Sequence, residues 1–138
     1  MATPAAFAFK SYTFTNVEMN MGSFSDQSPL DLSFSPSGVY EQETGTYKLR
    51  FVFSASQGEE AVQIVKIVCE AVFEFKSPVE INDIPDYFFP NSLAIVFPYV
   101  RAFVSSVTLQ ANLSVPILIP TLNLSGLQST LKENTKLH

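Results

Sequence analysis

Residues Tyr47 to Phe75 constrain the fold more than any other part of the chain, because they read as two long half-buried strands joined by a turn. Tyr47, Leu49, Phe51, Phe53 and Ala55 alternate with Lys48, Arg50, Val52 and Ser54. Strand side chains point to opposite faces with period two, so this pattern is that of a strand with one buried side. Ser56-Gln57-Gly58 supplies the turn. In the next strand, Ala61 to Phe75, one face carries Val65, Ile67, Cys69, Ala71, Phe73 and Phe75. The other carries Val62, Ile64, Lys66, Val68, Glu70, Val72 and Glu74. The strictly apolar face is expected to be core, and the mixed face to meet water or a partner.

Two more strands precede this pair. Phe7 and Phe9 share a parity, Tyr12 and Phe14 fall out of step, and Val17, Met19 and Met21 return to it. Each change of parity predicts a bulge or bend in one long strand. Leu30, Leu32 and Phe34 alternate next, and Ser35-Pro36-Ser37-Gly38 reads as the turn that ends them. After Phe75 the periodicity stops. Pro78, Pro85 and Pro90 punctuate a connection over about 76–90, and connections this long are usually functional. Its Tyr87-Phe88-Phe89 cluster either plugs the edge of the sheet or lines a binding surface.

Asn91 to Leu109 then has a helical period. Leu93, Val96, Phe97, Val100, Phe103, Val104 and Val107 fall on one face. The opposite side is also largely apolar, with Ile95, Tyr99, Ala102 and Ser106 at helical spacing and Arg101 as its charge. A helix apolar on two sides needs cover on both, one from the sheet and one from a second subunit. Pro98 deletes a backbone hydrogen bond within it and predicts a kink. A second helix over about 124–134 is marked by Leu124, Leu127 and Leu131, with Ser125 and Gln128 as a capping box. Lys132 to His138 is polar and is expected to fray.

Composition removes several function classes. Charged residues are 15% of the chain against a typical ~25%, while Phe occurs 13 times. That surplus of apolar surface points to oligomerisation or a binding groove. A net charge of −5 with 8 unclustered Lys and Arg argues against nucleic acid, whose binders need basic stripes. No uninterrupted apolar run of the length of a membrane span is seen, and the first residues do not have the pattern of a signal peptide. A lone cysteine, Cys69, fits a reducing, cytoplasmic setting. The single histidine is His138, and Glu59-Glu60 sit at a turn, so neither a catalytic triad nor an acid–base dyad is indicated. The expectation is a chain that is not an enzyme and needs no metal or other cofactor.

Four motifs in order resemble the SecB family of export chaperones. The first strand, Phe7 to Met19, looks like that family's opening strand. Ala55-Ser56-Gln57-Gly58-Glu59-Glu60-Ala61 is similar to its Ala-Ser-Leu-Gly-Glu-Glu-Thr turn. Phe97-Pro98-Tyr99-Val100-Arg101 resembles its Phe-Pro-Tyr-Ala-Arg helix, and Leu122-Asn123-Leu124-Ser125-Gly126-Leu127 its Val-Asn-Phe-Asp-Ala-Leu segment.

The resemblance implies an α+β fold in a single domain, 1–138. A four-stranded antiparallel sheet (about 7–75) leads through a crossover loop (about 76–90) to helices at about 91–110 and 124–134, assembled as a dimer of dimers. It implies a cytoplasmic, homotetrameric, ATP-independent holdase that binds unfolded preproteins for export, or an unstable client such as an antitoxin. The implied client groove is Tyr87, Phe88 and Phe89 on the loop with Leu124, Leu127 and Leu131 on the second helix. The implied oligomer interface is the Ile95, Tyr99, Ala102 and Ser106 face. The family's docking surface for the SecA ATPase maps to Asn16, Asn20, Ile64 and Lys66, where two amides and a cation replace acids. SecA is therefore left open as a partner, while neither nucleic acid nor membrane insertion is expected. A small-ligand-binding α+β protein and a purely structural oligomer are the alternatives. An open groove beside the loop aromatics favours the holdase, and an enclosed pocket with converging polar groups favours the ligand binder.

Overall fold

A computed structural model describes residues 6–111, 117–120 and 125–138. It contains four long strands, β1 (Phe7–Met19), β2 (Asp31–Glu41), β3 (Thr46–Gln57) and β4 (Val62–Phe75). These are followed by helices α1 (Phe88–Gln110) and α2 (Ser125–Glu133) and a short strand, β5 (Thr135–Leu137). The sheet order is β1-β4-β3-β2-β5; the four long strands are antiparallel and β5 runs parallel to β2. The α+β class and the antiparallel sheet followed by two helices are as expected. The fifth strand is not. Residues 135–137, expected to fray, hydrogen-bond along β2 instead.

The parity changes in β1 have a direct cause. Its register against β4 slips between Phe9 and Ser11 and again between Phe14 and Asn16. Lys10 and Thr15 are thus the extra residues of two bulges, and each turns the following side chains to the other face. A third bulge lies in β4. Ala55 pairs with Val65 but Ser56 pairs with Gln63, so Ile64 has no opposite number on β3. Ile64 turns into the core and is 1% exposed, not part of the mixed face. Val65, Ile67, Cys69, Ala71, Phe73 and Phe75 are all buried as expected, and Val68, expected on the mixed face, is buried as well at 1% exposed.

Ser35-Pro36-Ser37-Gly38 is not a turn. These residues continue β2, with Pro36 opposite Phe51 and Gly38 opposite Leu49. Proline is tolerated here because β2 lies near the edge of the sheet, where a missing N–H breaks no essential ladder. Gly38 is required for a different reason. A Cβ at this position would stand 2.0 Å from the Tyr47 hydroxyl, so only glycine lets that ring lie across β2.

Helix α1 starts three residues before the expected boundary, at Phe88. Pro90 reads as punctuation in the sequence, but it falls in the first turn, where the helix leaves N–H groups unbonded anyway. The apolar face is as expected. Leu93, Val96, Phe97, Val100 and Val104 are buried, and Phe103 and Val107 pack partly against the core. Pro98 is exposed and the helix runs through it. By length and composition α1 is apolar enough to cross a bilayer, contrary to the expectation from the sequence. Its buried stripe against the sheet is that of a core helix.

Beyond α1, Ile117–Pro120 lies against the helix as an extended strap. Ile117 and Ile119 are buried, while Leu118 points outward. The Thr108 hydroxyl donates to Val104 O (2.8 Å) and accepts from the Ile117 N–H (2.9 Å). Arg101 Nε donates to Ile119 O (3.0 Å). Arg101, which appears in the sequence as the charge on an exposed face, ties down this strap.

Candidate functional site

The crossover from β4 to α1 is fixed to the sheet through its backbone. The Tyr40 hydroxyl donates to Val79 O (2.6 Å) and accepts from the Val79 N–H (3.1 Å). Gln42 Oε1 accepts from the Ile81 N–H (3.1 Å). A single 3-10 turn, Ile81–Asp83, follows, and Ile84 then enters the core at 6% exposure. Tyr40 near the end of β2 and Gln42 just beyond it thus hold one flank of the segment, and the other flank faces α2.

A groove opens between this crossover and α2. One cavity of about 300 Å³ is lined by Ile81, Asn82, Ile84, Phe89, Lys132 and Thr135. A neighbouring one of about 250 Å³ shares Phe89 and Lys132 and adds Asp86, Gln128 and Ser129. The lining of the groove mixes apolar Ile81, Ile84 and Phe89, the last two nearly buried, with polar side chains that supply the larger share of the exposed surface. Lys132 Nζ reaches Asp86 Oδ1 at 2.7 Å across the mouth, joining α2 to the crossover. Both groups are well exposed, so this ion pair contributes at most ~1 kcal/mol and a ligand can displace it.

Cavities lie between the crossover and α2, but most of the side chains expected to line a groove there are elsewhere. Phe88 is fully buried and Phe89 is 4% exposed, because both lie in the first turn of α1 and face the sheet. Phe88 sits among Phe7, Tyr47, Phe73 and Phe75, and of the two rings only Phe89 also touches the groove. Tyr87 is 38% exposed on the protein surface. Leu131 is fully buried and anchors α2 to the core, and Leu127 packs partly against it. Leu124 lies outside the described residues. The apolar lining comes instead from Ile81 and Ile84, in a segment whose sequence shows no periodicity.

Among the described residues, the second side of α1 is largely open, with the strap at Leu118 and Ile119 beside Ala102. Tyr99 is 39% exposed, Ala102 and Ser106 are exposed, and Ile95 is half-buried. Tyr99 stacks on Tyr12 of β1 at 4.3 Å, and Phe103 stacks on Phe14 at 3.9 Å. Edge strand β1 and the outer face of α1 therefore form one continuous apolar surface. Around the implied SecA-facing patch, Asn16 and Asn20 are exposed and Lys66 is half-buried, paired in register with Glu18. Asn16 Nδ2 donates to Glu18 Oε2 (2.9 Å). Ile64 does not belong to this patch, since the β4 bulge buries it.

Reactive groups are few. Cys69 is buried, and desolvation, aided by the Glu70 charge, pushes its thiol up to about 11, so it stays a protonated packing group at neutral pH. Burial also raises the Tyr47 hydroxyl well above its usual range, although its hydrogen bond with Thr135 opposes this. Among the described residues, no group of three His, Cys, Asp or Glu side chains could hold a metal ion.

Comparison with known proteins adds a fold relationship. No family model matches the chain. An uncharacterized protein of Methanocaldococcus jannaschii is 44% identical over 43 residues, which is 31% of this chain and 27% of that relative's length. A protein of unknown function from Streptococcus agalactiae aligns with a TM-score of 0.47 at 9% identity, over 86% of this chain and 100% of that one. The Mycobacterium tuberculosis SecB-like chaperone Rv1957, solved with a ChAD peptide from the HigA1 antitoxin, aligns with a TM-score of 0.65 at 15% identity. That alignment covers 85% of this chain and 88% of the chaperone. With its sheet, crossover and helices in the same arrangement, this chain has the SecB-like fold.

Proposed function

We propose that the chain is a nucleotide-independent holdase that binds extended, apolar segments of unfolded polypeptides. The observation that carries this reading is the open groove between the crossover and α2, in a fold shared with a chaperone solved with a peptide bound. The mechanism is physical. A client side chain leaves water for a floor of Ile81, Ile84 and Phe89, which contributes ~1.5–3 kcal/mol for each large apolar group fully buried. No bond is made or broken, and the chain is read as having no catalytic role and no cofactor. The two cavities between the crossover and α2 open to the surface, which favours a polypeptide over an enclosed small ligand.

Self-association belongs to the same proposal. The apolar face of Tyr12, Tyr99, Ala102 and Ser106 is read as the contact between copies in a cytoplasmic homotetramer. Several grooves on one assembly would hold one long client at high effective concentration. Client holding, as for an antitoxin or another unstable chain, is favoured over handover for export, because Asn16, Asn20 and Lys66 leave the SecA-facing patch without its acids. The test is aggregation suppression. A reduced, denaturant-unfolded protein is diluted with and without this chain in the absence of nucleotide. Suppression near stoichiometric amounts supports the reading, and aggregation at an unchanged rate refutes it.

A further inference from the structure

We infer that Tyr40 and Tyr47 are positioning residues for the groove: their hydroxyls hold its two walls from the sheet and so set the size of client side chain it admits. This inference rests on the holdase reading above and names what would give that site its selectivity.

These two side chains stand apart in the core. Among the described residues, every other buried aromatic side chain is a phenylalanine. Phenylalanine fills such a core without desolvating a hydroxyl, so a fully buried tyrosine needs a partner for its O–H. Tyr40 and Tyr47 are both 0% exposed and directly opposite in the β2–β3 register, with ring centroids 6.4 Å apart. Residues paired across two strands project from the same face of the sheet, so both phenols point into the core. Tyr40 packs edge-on against Phe75 and Tyr47 against Phe88, which fixes the direction of each hydroxyl.

The hydroxyls go to opposite walls. On the crossover side, the Tyr40 hydroxyl bridges both backbone groups of Val79, two residues before Ile81 enters the lining. On the α2 side, Tyr47 Oη lies 2.5 Å from Thr135 Oγ1, and Thr135 Oγ1 donates to Leu131 O (2.7 Å). A threonine hydroxyl has one proton, so with that proton on Leu131 O it is Tyr47 that donates to Thr135. The relay satisfies a carbonyl in the last turn of α2 that the helix itself leaves unpaired. Thr135 is itself part of the lining. Gly38 leaves room for the Tyr47 ring to reach this far across β2. The Lys132–Asp86 ion pair between the walls is well exposed and adds little, so the spacing of the walls comes from the two phenols.

Tyr40→Phe and Tyr47→Phe keep the rings and remove the hydroxyls. The probes are fluorescent ten-residue Gly-Ser peptides whose three central residues are Ala, Leu or Trp. Wild type should rank the three peptides. Each variant should bind the tightest of them about tenfold more weakly, the scale of one or two net hydrogen bonds now missing from a wall, and the ranking should flatten. Amide exchange should quicken at residues 79–84 in Tyr40→Phe and at the end of α2 in Tyr47→Phe. Ile67→Val is the control for a general loss of stability and should change neither readout. Ile67 is buried, but it lies six residues along β4 from Phe73, the partner of Tyr47. If a tyrosine variant does not fold, Gln42→Leu or Thr135→Val takes its place, releasing the Ile81 N–H or the Leu131 carbonyl without opening the core. A wild type that binds the three peptides alike, folded variants that match wild type, or equal losses in Ile67→Val overturns the inference. Aggregation suppression by wild type keeps the two readings apart. If it is present when one of those results is found, only the positioning role is wrong; if it is absent, the holdase reading fails and this inference with it.

Discussion

Replacing Phe88 by alanine separates a core ring from a client-facing one. In the structure Phe88 is fully buried, with ring centroids of Phe7, Tyr47, Phe73, Phe75 and Phe89 between 4.7 and 5.6 Å away. Truncation removes that transfer term and leaves a hole walled by five rings, four of them carried on or beside rigid strands that cannot close around it. Phe→Ala changes in such surroundings cost ~3–5 kcal/mol, and the lost edge-to-face contacts put this one toward the upper end. Domain stabilities are ~5–15 kcal/mol, so a third or more of the total would disappear. The melting temperature should fall by roughly 10–20 °C. Tyr87→Ser, one residue earlier at 38% exposed, should cost clearly less than Phe88→Ala. Denaturant melts of both variants, followed by circular dichroism, make the comparison. A Phe88→Ala protein as stable as wild type that no longer protects clients would refute the core assignment and return this ring to the binding surface.

Three further outcomes follow from the same geometry. Ala102→Glu places a carboxylate in the open apolar face of α1 and should dissociate the assembly, read by sedimentation at micromolar concentration; a monomeric wild type or an unchanged variant contradicts the interface. Cys69 titrates at about 11 in the folded chain against 9.0 in the unfolded one, so the unfolded state releases its proton first. This group's contribution to stability should therefore be unchanged below about pH 9 and fall from there to about pH 11, so Cys69→Ala should make the alkaline slope shallower in pH-dependent melts, with the buried Tyr47 hydroxyl supplying part of what remains. SecA should bind weakly at low salt and gain affinity on Lys66→Glu, measured by titration calorimetry; tight binding that ignores this charge contradicts the reading of the patch.

Where a pattern depends on the strand period alone, the sequence carries it. The faces of β3 and β4 and both bulges of β1 follow from which residues share a parity, and the inner face of α1 follows from its 3.6-residue spacing. Errors arise where one residue type has two physical uses. Proline ends helices and also fits their first turn, so Pro90 moved Phe88 and Phe89 out of a helix and onto a loop. Pro36 and Gly38 read as a turn, yet one suits a strand near the sheet edge and the other makes room for the Tyr47 ring. Ile64 keeps strict parity in the sequence, and only a slip in pairing against β3 turns it inward. The groove floor of Ile81 and Ile84 has no periodic signature, because the hydroxyl of Tyr40 and the amide of Gln42 position that segment from the sheet. β5 is three residues of weak alternation whose partner lies nearly a hundred residues earlier, a separation that local pattern does not report.

Photocrosslinking to an unfolded client tests the groove most directly. A photoreactive phenylalanine analogue replaces Asn82 or Gln128, on opposite walls of the groove, or Glu59, at the exposed turn between β3 and β4. Each variant is first shown to fold and then illuminated with a reduced, unfolded protein. The groove account predicts client adducts from positions 82 and 128 and few from position 59. Adducts from position 59 alone, or in equal yield from all three, would contradict it.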